Sequence, residues 1–324
     1  MATQCCRRFE DTGIDLLASR RIRHIVPIAL LVLLLLAYHI HLVGVAISSR
    51  ALFSRPLDGR NFERADDCAH MAVHQLGTMK SVHKLKAIIH LTRIASLLSG
   101  DFVEAGVAEG GASFAILFYL ACSDSLRTRE FHLFDTFEGL PAPEVAEDQG
   151  FYKGQFRKNL SEFHANAERW GERYRRLVNA TMSPVTWEDA MKHLQIHVGL
   201  FSHTMPLALK KKSVVALFCD GDMYQSSYDC LSGAGKSLDS RAYIYHDDYF
   251  TFIGNLLAVK DWRRQNQDVG EIFLVPEDGI FAYYNEIFSS CRPPKDNILR
   301  NSDDRGKCEG VVTEAAFWQH LDAV

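Results

Sequence analysis

The sequence GDFVEAGVAEGGASFAILFYLA, residues 100–121, places a strand, a glycine-rich turn and a helix in direct succession. The apolar run at 102–107 predicts a buried strand, and the longer apolar run at 113–121 predicts a buried helix. From Glu104 the spacing is E-x-G-x-x-x-G-G, which differs from the G-x-G-x-x-G of dinucleotide-binding proteins and lacks the G-K-[ST] of a P-loop. Because glycine allows a backbone to approach another group closely, the turn is predicted to lie against a ligand.

The same alternation of strands and helices continues along the chain. Further apolar strands are predicted at 130–135, 194–198, 213–220, 241–248, 271–276 and 280–285. Helices are predicted at 81–98, 224–235 and 252–265, and several more within the polar stretch 141–193. Strands that alternate with helices form mainly parallel sheets with both faces covered, so we expect an α/β fold.

Carboxylates follow four of these strands. They are Glu104, Asp135, the pair Asp220 and Asp222, and the pair Asp247 and Asp248. A single acid at such a position is commonly the N-cap of the next helix. Ligands of open α/β sheets bind at the carboxyl ends of the strands, so four such positions together indicate one pocket. Asp135 is placed to bind a ribose diol, and the ligand of the glycine turn is therefore predicted to be a nucleoside.

Five segments of the chain resemble the macrocin O-methyltransferase family, the TylF-like enzymes that use S-adenosylmethionine. They are GDFVEAGVAEGGAS, FHLFDTFEGLP, GLFSHTMP, FCDGDMYQSSYDCL and AYIYHDDY, in the family's order within residues 80–290. The resemblance implies a class I methyltransferase fold, which is a Rossmann-like, mainly parallel sheet of seven strands with helices on both faces. It also implies that residues 141–193 form a lid over the substrate and that the acceptor is a sugar or glycan hydroxyl.

The resemblance also assigns roles to the acids and glycines at the strand ends. It implies that S-adenosylmethionine is bound by Glu104, Gly106, Gly110, Gly111, Ser113, Asp135, Phe137 and Gly139. It implies a divalent cation, usually magnesium, which we expect Asp220, Asp247 and Asp248 to bind, since oxygen ligands select a hard ion. Asp220 is the expected catalytic base for the acceptor hydroxyl, and Asp222 is the alternative base.

The N-terminal part of the chain predicts a membrane anchor. Residues 25–47 are almost continuously apolar and long enough to cross a bilayer, and several arginines between Arg7 and Arg23 precede them. Positive flanks stay cytosolic, so a type II orientation is expected, with the catalytic domain in the lumen of the endoplasmic reticulum or Golgi. A cleaved signal peptide is the alternative. The predicted organisation is a cytosolic tail at 1–24, the anchor at 25–47, a stem at 48–79, the methyltransferase domain at 80–290 and an extension at 291–324.

Two further features are compatible with a luminal domain. Two triplets are acceptors for N-glycosylation, at Asn159 and Asn179. Six cysteines follow the anchor, an even number that permits disulfides. Cys291 and Cys308 flank a polar loop and are the expected pair. Cys122 and Cys219 lie in apolar runs and are expected to be buried thiols.

Other classes of function stay open at this point. A luminal metal-dependent glycosyltransferase would use the Asp-x-Asp motif at 220–222 to bind a nucleotide sugar. A non-haem iron oxygenase would use His246, Asp248 and His320 as ligands, although such enzymes are commonly all-β. A third alternative is a catalytically silent binding protein that kept the fold. The net charge of −4 gives no basic excess, so no nucleic-acid partner is expected, whereas a homo-oligomer stays open.

Overall fold

A computed structural model of the protein describes residues 59–276, 282–283 and 313–321. Within these residues one sheet contains eight strands. The strands are β1 Asp101–Ala105, β2 Phe131–Asp135, β3 Leu194–Val198, β4 Val214–Cys219, β5 Leu238–His246, β6 Ile272–Pro276, β7 Ala282–Tyr283 and β8 Thr313–Gln319. Their order across the sheet is β3-β2-β1-β4-β5-β8-β6-β7. Strands β1 to β5 pair in parallel, and β8 runs antiparallel to both β5 and β6.

Helices cover both faces of this sheet. The helices are α1 Gly59–Ala72, α2 Val82–Ala95, α3 Gly111–Cys122, α4 Leu160–Leu177, α5 Trp187–Met191, α6 Phe201–Ala208, α7 Tyr224–Gly235 and α8 Ile253–Asn266. Local signals in the sequence set several of their starts. The Ser81 side chain caps α2 by accepting from the Lys84 amide, and Asn159 and Glu162 form a capping box at the start of α4.

Alternate side chains of the central strand β1 enter two separate hydrophobic cores. Phe102 packs with buried residues of α2, α3 and α4, while Val103 and Ala105 pack with those of α6, α7 and α8. This follows from the two-residue side-chain period of a strand. Every residue of α3 is buried, which explains why its sequence is apolar on all sides. Each large apolar side chain buried in these cores stabilises the fold by about 1.5–3 kcal/mol.

The predicted α/β fold with a mainly parallel sheet is confirmed, but the predicted number of strands is wrong. The described residues contain eight strands rather than seven, and the additional strand is β8. It lies inside the segment 291–324 that was assigned to an extension, and it separates β5 from β6. The strand predicted at 280–285 is described only as the two-residue β7.

The segment 48–79, which was predicted to be a stem, contains α1, and α1 is packed against the domain. Cys68 of α1 is fully buried and forms a disulfide with Cys122 at the end of α3. A second disulfide joins Cys219, the last residue of β4, to Cys230 in α7. The expectation that Cys122 and Cys219 are free thiols is therefore wrong. The expected pair of Cys291 and Cys308 lies outside the described residues.

The predicted membrane anchor at 25–47 likewise lies outside the described residues, as does the predicted cytosolic tail. Among the helices of the described part, none has the length and apolar character needed to cross a membrane.

Candidate active site

A cavity of about 960 Å³ opens at the carboxyl ends of β1, β2, β4 and β5. This is the edge of the sheet at which the sequence placed its four acidic positions. Asp220 and Asp247 are brought together because β4 and β5 are neighbours, and each aspartate extends the pairing beyond its strand. The Asp220 amide donates to the Ala105 carbonyl and the Asp247 amide donates to the Cys219 carbonyl, both at 2.8 Å.

Glycines of the turn after β1 permit close approach between segments of the protein's own backbone. Gly106 has φ +90, and a Cβ atom there would lie 1.7 Å from the Asp220 carbonyl oxygen. A Cβ at Gly111 would lie 2.3 Å from the carbonyl oxygen of Gly77, in the segment before α2. The glycines therefore bring β1, β4 and this segment together around the cavity, and both of them line it.

Asp135 at the tip of β2 holds the glycine turn in place. Its Oδ2 accepts from the amides of Val107 at 2.7 Å and Ala108 at 2.9 Å, and its Oδ1 accepts from the Phe137 amide at 2.7 Å. One carboxylate thus connects the loops that follow β1 and β2. Asp135 also lines the cavity, where an oxygen with a further lone pair can face a ribose diol.

Glu104 lies in β1 and faces the cavity from within the sheet. Its side chain is buried and accepts a hydrogen bond from the hydroxyl of Ser113 in α3. Burial raises the pKa of Glu104 to about 8, although the Ser113 hydrogen bond and the Lys80 ammonium act in the opposite direction. A cationic ligand beside this carboxyl would lower its pKa and so favour the ionised form.

The residues expected to bind S-adenosylmethionine fall into two groups. Those that line the cavity are Glu104, Gly106, Gly111, Asp135 and Gly139. The other three lie behind them. Gly110 is the N-cap residue of α3, the Ser113 hydroxyl donates to Glu104, and the buried ring of Phe137 packs against Phe163.

Three carboxylates at the tips of β4 and β5 converge on one point. Asp220, Asp222 and Asp248 each offer an oxygen, and these oxygens lie within 4.8 Å of one another. Asp222 and Asp248 have left-handed backbones, with φ +59 and +49, which cost of order 1 kcal/mol or more each. An all-oxygen set of this kind fits a hard divalent cation.

Asp247 faces away from that point, toward α2. Its Oδ2 accepts from Lys80 Nζ at 2.7 Å, and its Oδ1 lies 2.9 Å from Lys84 Nζ. The Tyr245 hydroxyl also donates to Oδ1, at 3.1 Å. Of the three cation ligands expected from the sequence, the geometry therefore brings Asp220 and Asp248 together with Asp222 in the place of Asp247.

Burial and the neighbouring charges shift the pKa values of these acids in different directions. Burial raises the pKa of Asp220 to about 6, with Lys80 opposing the shift. Burial and the charges of Asp220 and Asp248 raise the pKa of Asp222 well above its usual range. For Asp247 burial acts upward as well, but the Lys80 and Lys84 ammonium groups hold its pKa well below the usual range. Burial and the charge of Asp247 raise the pKa of Asp248 as well. Three acids with a raised pKa beside one that stays ionised form a cluster that favours a bound cation.

Sequence reasoning missed Lys80 and Lys84, both of which line the cavity. Lys80 also contacts Asp220, and Lys84 contacts Asp248 at 2.8 Å. One signal was available in the sequence, since Lys84 precedes Ile88 by four residues and therefore lies on the apolar face of α2. A lysine on a buried helical face needs an acidic partner.

The segment 141–193 borders the cavity and also packs part of its own length into the hydrophobic core. Pro141, Ala142, Gln155 and Phe156 line the cavity. Asp148, which is buried, accepts from the Tyr224 and Gln225 amides and so caps α7 from this segment. Trp170 and Trp187 of this segment are buried among the protein's own aromatic side chains.

The ligand set of the iron oxygenase alternative is not assembled. His246 is fully buried and its Nδ1 lies 2.8 Å from the Asp247 carbonyl. His320 instead bonds the Asp268 carboxylate at 2.9 Å, and its amide donates to Ala242. Ala242 precedes His246 by four residues along β5, a distance of about 13 Å. His246 is therefore a core histidine.

A mainly parallel sheet in this strand order, with a glycine turn after β1 and acids at four strand tips, defines a class I methyltransferase-like fold. The solved structure of the O-methyltransferase NovP supports this fold, with a TM-score of 0.53 at 20% identity over 76% of this chain and 82% of that one. The model of the Macrocin-O-methyltransferase (TylF) family matches residues 43–284. The chain belongs to this family, and it is an S-adenosylmethionine-dependent O-methyltransferase.

Two characterised relatives are similar over large parts of the chain. The demethyldecarbamoylnovobiocin O-methyltransferase of Streptomyces niveus is 24% identical over 73% of this chain and 90% of its own length. The 8-demethyl-8-(2,3-dimethoxy-alpha-L-rhamnosyl)-tetracenomycin-C 4'-O-methyltransferase of Streptomyces olivaceus is 27% identical over 54% of this chain and 62% of its own length.

Proposed function

We propose that this enzyme methylates a hydroxyl of a sugar or glycan, with the aid of a divalent cation, in a compartment of the secretory pathway. The observation that carries the proposal is the convergence of Asp220, Asp222 and Asp248 at the cavity that Glu104 and the glycine turn also line. Donor site and acid cluster therefore face the same space.

Methyl transfer requires the acceptor oxygen to approach the methyl carbon in line with the bond to sulfur. As the new C–O bond forms, the C–S bond breaks, S-adenosylhomocysteine leaves, and the hydroxyl proton passes to a base. We assign that base to Asp222. Lys80 already contacts an oxygen of Asp220, whereas Asp222 has no lysine contact within the described part of the chain. Burial and the neighbouring carboxylates raise the pKa of Asp222, which makes it a stronger base than an ordinary aspartate.

Asp220 and Asp248, with one oxygen of Asp222, would hold the cation. A bound divalent cation would lower the pKa of a nearby alcohol, which is otherwise far too high for ionisation at neutral pH. A carboxylate has two oxygens, so Asp222 can give one to the cation and keep the other for the proton. Magnesium suits this set because it prefers oxygen ligands and retains several waters.

A sugar acceptor is supported by the relatives and by the polar lining of the cavity. One relative is a 4'-O-methyltransferase of a tetracenomycin that carries a dimethoxy-rhamnosyl group. In this chain the acceptor side of the cavity carries Gln155, Phe156, Ser202 and Gln225. Amides and hydroxyls can hydrogen-bond sugar hydroxyls, and an aromatic ring such as that of Phe156 can stack on a sugar face.

A secretory location is supported by the apolar segment at 25–47, by the arginines before it, and by the cysteines. Two disulfides, Cys68–Cys122 and Cys219–Cys230, are typical of an oxidising compartment. Asn159 and Asn179 are exposed, as glycosylation requires. Glycosidase treatment and protease protection of native membranes test this location. Unglycosylated protein that protease digests from the cytosolic side would contradict it.

The reaction itself is tested by transfer of a labelled methyl group from S-adenosylmethionine to a panel of sugars and glycans, with and without chelator. We expect a labelled mono-methylated sugar to form, its formation to stop in excess chelator, and its formation to resume when Mg²⁺ is added. Full activity in chelator would remove the cation from the mechanism. Thermal stabilisation by a nucleotide sugar, without any by S-adenosylmethionine, would favour the glycosyltransferase alternative. Failure of every acceptor despite tight S-adenosylmethionine binding would favour the silent binding protein.

A further inference from the structure

Two lysine ammonium groups are built into the acidic cluster. Lys80, just before α2, and Lys84, in its first turn, are only 9% and 7% exposed. Burial of a lysine costs side-chain entropy and desolvation, so such a position is stable only with close acidic partners. These two residues are therefore components of the site rather than solvated surface charges.

Both lysines contact the same carboxylate, and each lysine also contacts a second carboxylate of its own. Both contact Asp247, whose two oxygens are thereby occupied. Lys80 also contacts Asp220, and Lys84 contacts Asp248 at 2.8 Å. Asp220 and Asp248 are the two residues that supply most of the proposed cation site, so each lysine is in contact with one cation ligand.

The charges of the cluster do not balance. Four carboxylates, those of Asp220, Asp222, Asp247 and Asp248, face the two ammonium groups. When all four carboxylates are ionised, two negative charges are left over, which matches the charge of a divalent cation. The same ammonium groups repel that cation across a few ångströms in a partly desolvated site, where charges interact more strongly than in water.

We propose that Lys80 and Lys84 are resident counter-ions, which keep Asp220 and Asp248 in position before the divalent cation binds and limit how tightly it is then held. The inference rests on the proposed function and concerns the regulation of the same site. Its consequence is an exchangeable cation, bound by a cluster that is assembled without it. If the lysines had only a structural role, their loss would have the opposite effect, because disordered ligands would bind the cation more weakly.

The sign of this effect is measurable with Mn²⁺, whose free form is counted by electron paramagnetic resonance. The full chain is stripped with chelator and titrated as wild type and as Lys80→Gln, which removes the charge and keeps a polar head. Lys80→Arg restores the charge. Lys86→Gln is the matched control, because Lys86 is exposed on the same helix. Far-ultraviolet circular dichroism, measured separately, reports whether each variant is folded.

We expect Lys80→Gln to bind Mn²⁺ roughly tenfold or more tightly than wild type, while Lys80→Arg and Lys86→Gln match wild type. In chelator the melting temperature of Lys80→Gln should fall, and saturating Mn²⁺ should raise it by more than it raises that of wild type. Mn²⁺ binding that is detected for Lys80→Gln but not for wild type would also support the proposal. Equal or weaker Mn²⁺ binding by a folded Lys80→Gln would overturn it.

Lys84→Gln provides a second test of the same claim if Lys80→Gln is unfolded in chelator. Failure of both variants to fold even with saturating Mn²⁺ would overturn the proposal, because the cation should replace the lost ammonium. Mn²⁺ binding by wild type with unchanged affinity in the variants would leave the proposed function intact and remove only this inference. No Mn²⁺ binding by any form, with full methyl transfer in chelator, would remove both the inference and the cation of the proposed function.

Discussion

Ser113 donates its hydroxyl hydrogen to the carboxylate of Glu104, and both side chains are buried beneath the glycine turn. Burial raises the pKa of this glutamate to about 8, so the free enzyme holds it mainly protonated at neutral pH. S-adenosylmethionine is cationic at both its sulfonium and its amino group. If the methionine part lies beside Glu104, binding must release a proton.

We therefore predict that S-adenosylmethionine binding at pH 7 releases close to one proton, and that the apparent Kd falls about tenfold per pH unit until about pH 8. The sign follows because the bound state holds the ionised acid and the free state the protonated one. Calorimetry in buffers of different ionisation enthalpy measures the released proton. Glu104→Gln should bind more weakly above pH 8 and release none. Unchanged protonation on binding to wild type would contradict this placement.

Asp222→Asn should lower turnover by roughly 10²–10⁴, because an amide cannot accept the hydroxyl proton. One oxygen remains for the cation, so raised Mg²⁺ should not restore the rate. Asp220→Asn removes a charged ligand instead, and high Mg²⁺ should recover part of its activity. In both variants the affinity for S-adenosylmethionine should stay near that of wild type. If high Mg²⁺ restored the activity of Asp222→Asn but not that of Asp220→Asn, Asp220 would be the catalytic base and Asp222 the cation ligand.

Asp247→Asn should reduce the free energy of unfolding by about 3–5 kcal/mol, since it takes a charged partner from two buried lysines. The folded-state pKa of Asp247 is depressed, so its stabilisation is fully present above the unfolded value of about 3.9 and is lost progressively as the pH falls below that value toward the folded-state pKa. Urea unfolding at pH 7 and at pH 3 measures both effects. Asp189→Asn is the control, because Asp189 pairs with Lys192 at the surface and its loss should change little. Equal effects of the two substitutions would contradict the prediction.

The two disulfides should differ in their contribution to stability. Cys68–Cys122 spans 54 residues and Cys219–Cys230 spans 11, so loop closure predicts losses of about 4 and about 3 kcal/mol on removal. Paired alanine variants compared by chemical unfolding measure this. The shorter disulfide adjoins Asp220, so its removal should also lower turnover, whereas the longer one should affect stability alone. Equal turnover of both paired variants would show that the short disulfide does not position the acids.

The sequence allowed the site's acids to be predicted, because their strands are buried and each acid stands where an apolar run ends. Strand neighbours then bring Asp220 and Asp247 together without further information. The direction in which each carboxylate points was not predictable. Asp247 and Asp248 are adjacent in the chain, yet one faces α2 and the other faces the cation site.

Long-range pairing explains the remaining errors. Lys80 reaches Asp247 across 167 residues, and Cys68 reaches Cys122 across 54. Neither contact leaves a periodic pattern in the local sequence, since both depend on where α1 and α2 pack. The strand β8 was missed for a related reason, because it is inserted between β5 and β6, which lie far earlier in the chain.

That insertion has a consequence for biosynthesis. A ribosome completes β5 and β6 before it reaches residue 313, so the emerging sheet has a gap in its interior until β8 arrives. During this interval the facing edges of β5 and β6 present unpaired backbone amides and carbonyls, which are templates for intermolecular pairing. A premature stop codon before residue 313 should accordingly yield insoluble protein rather than a shortened active enzyme.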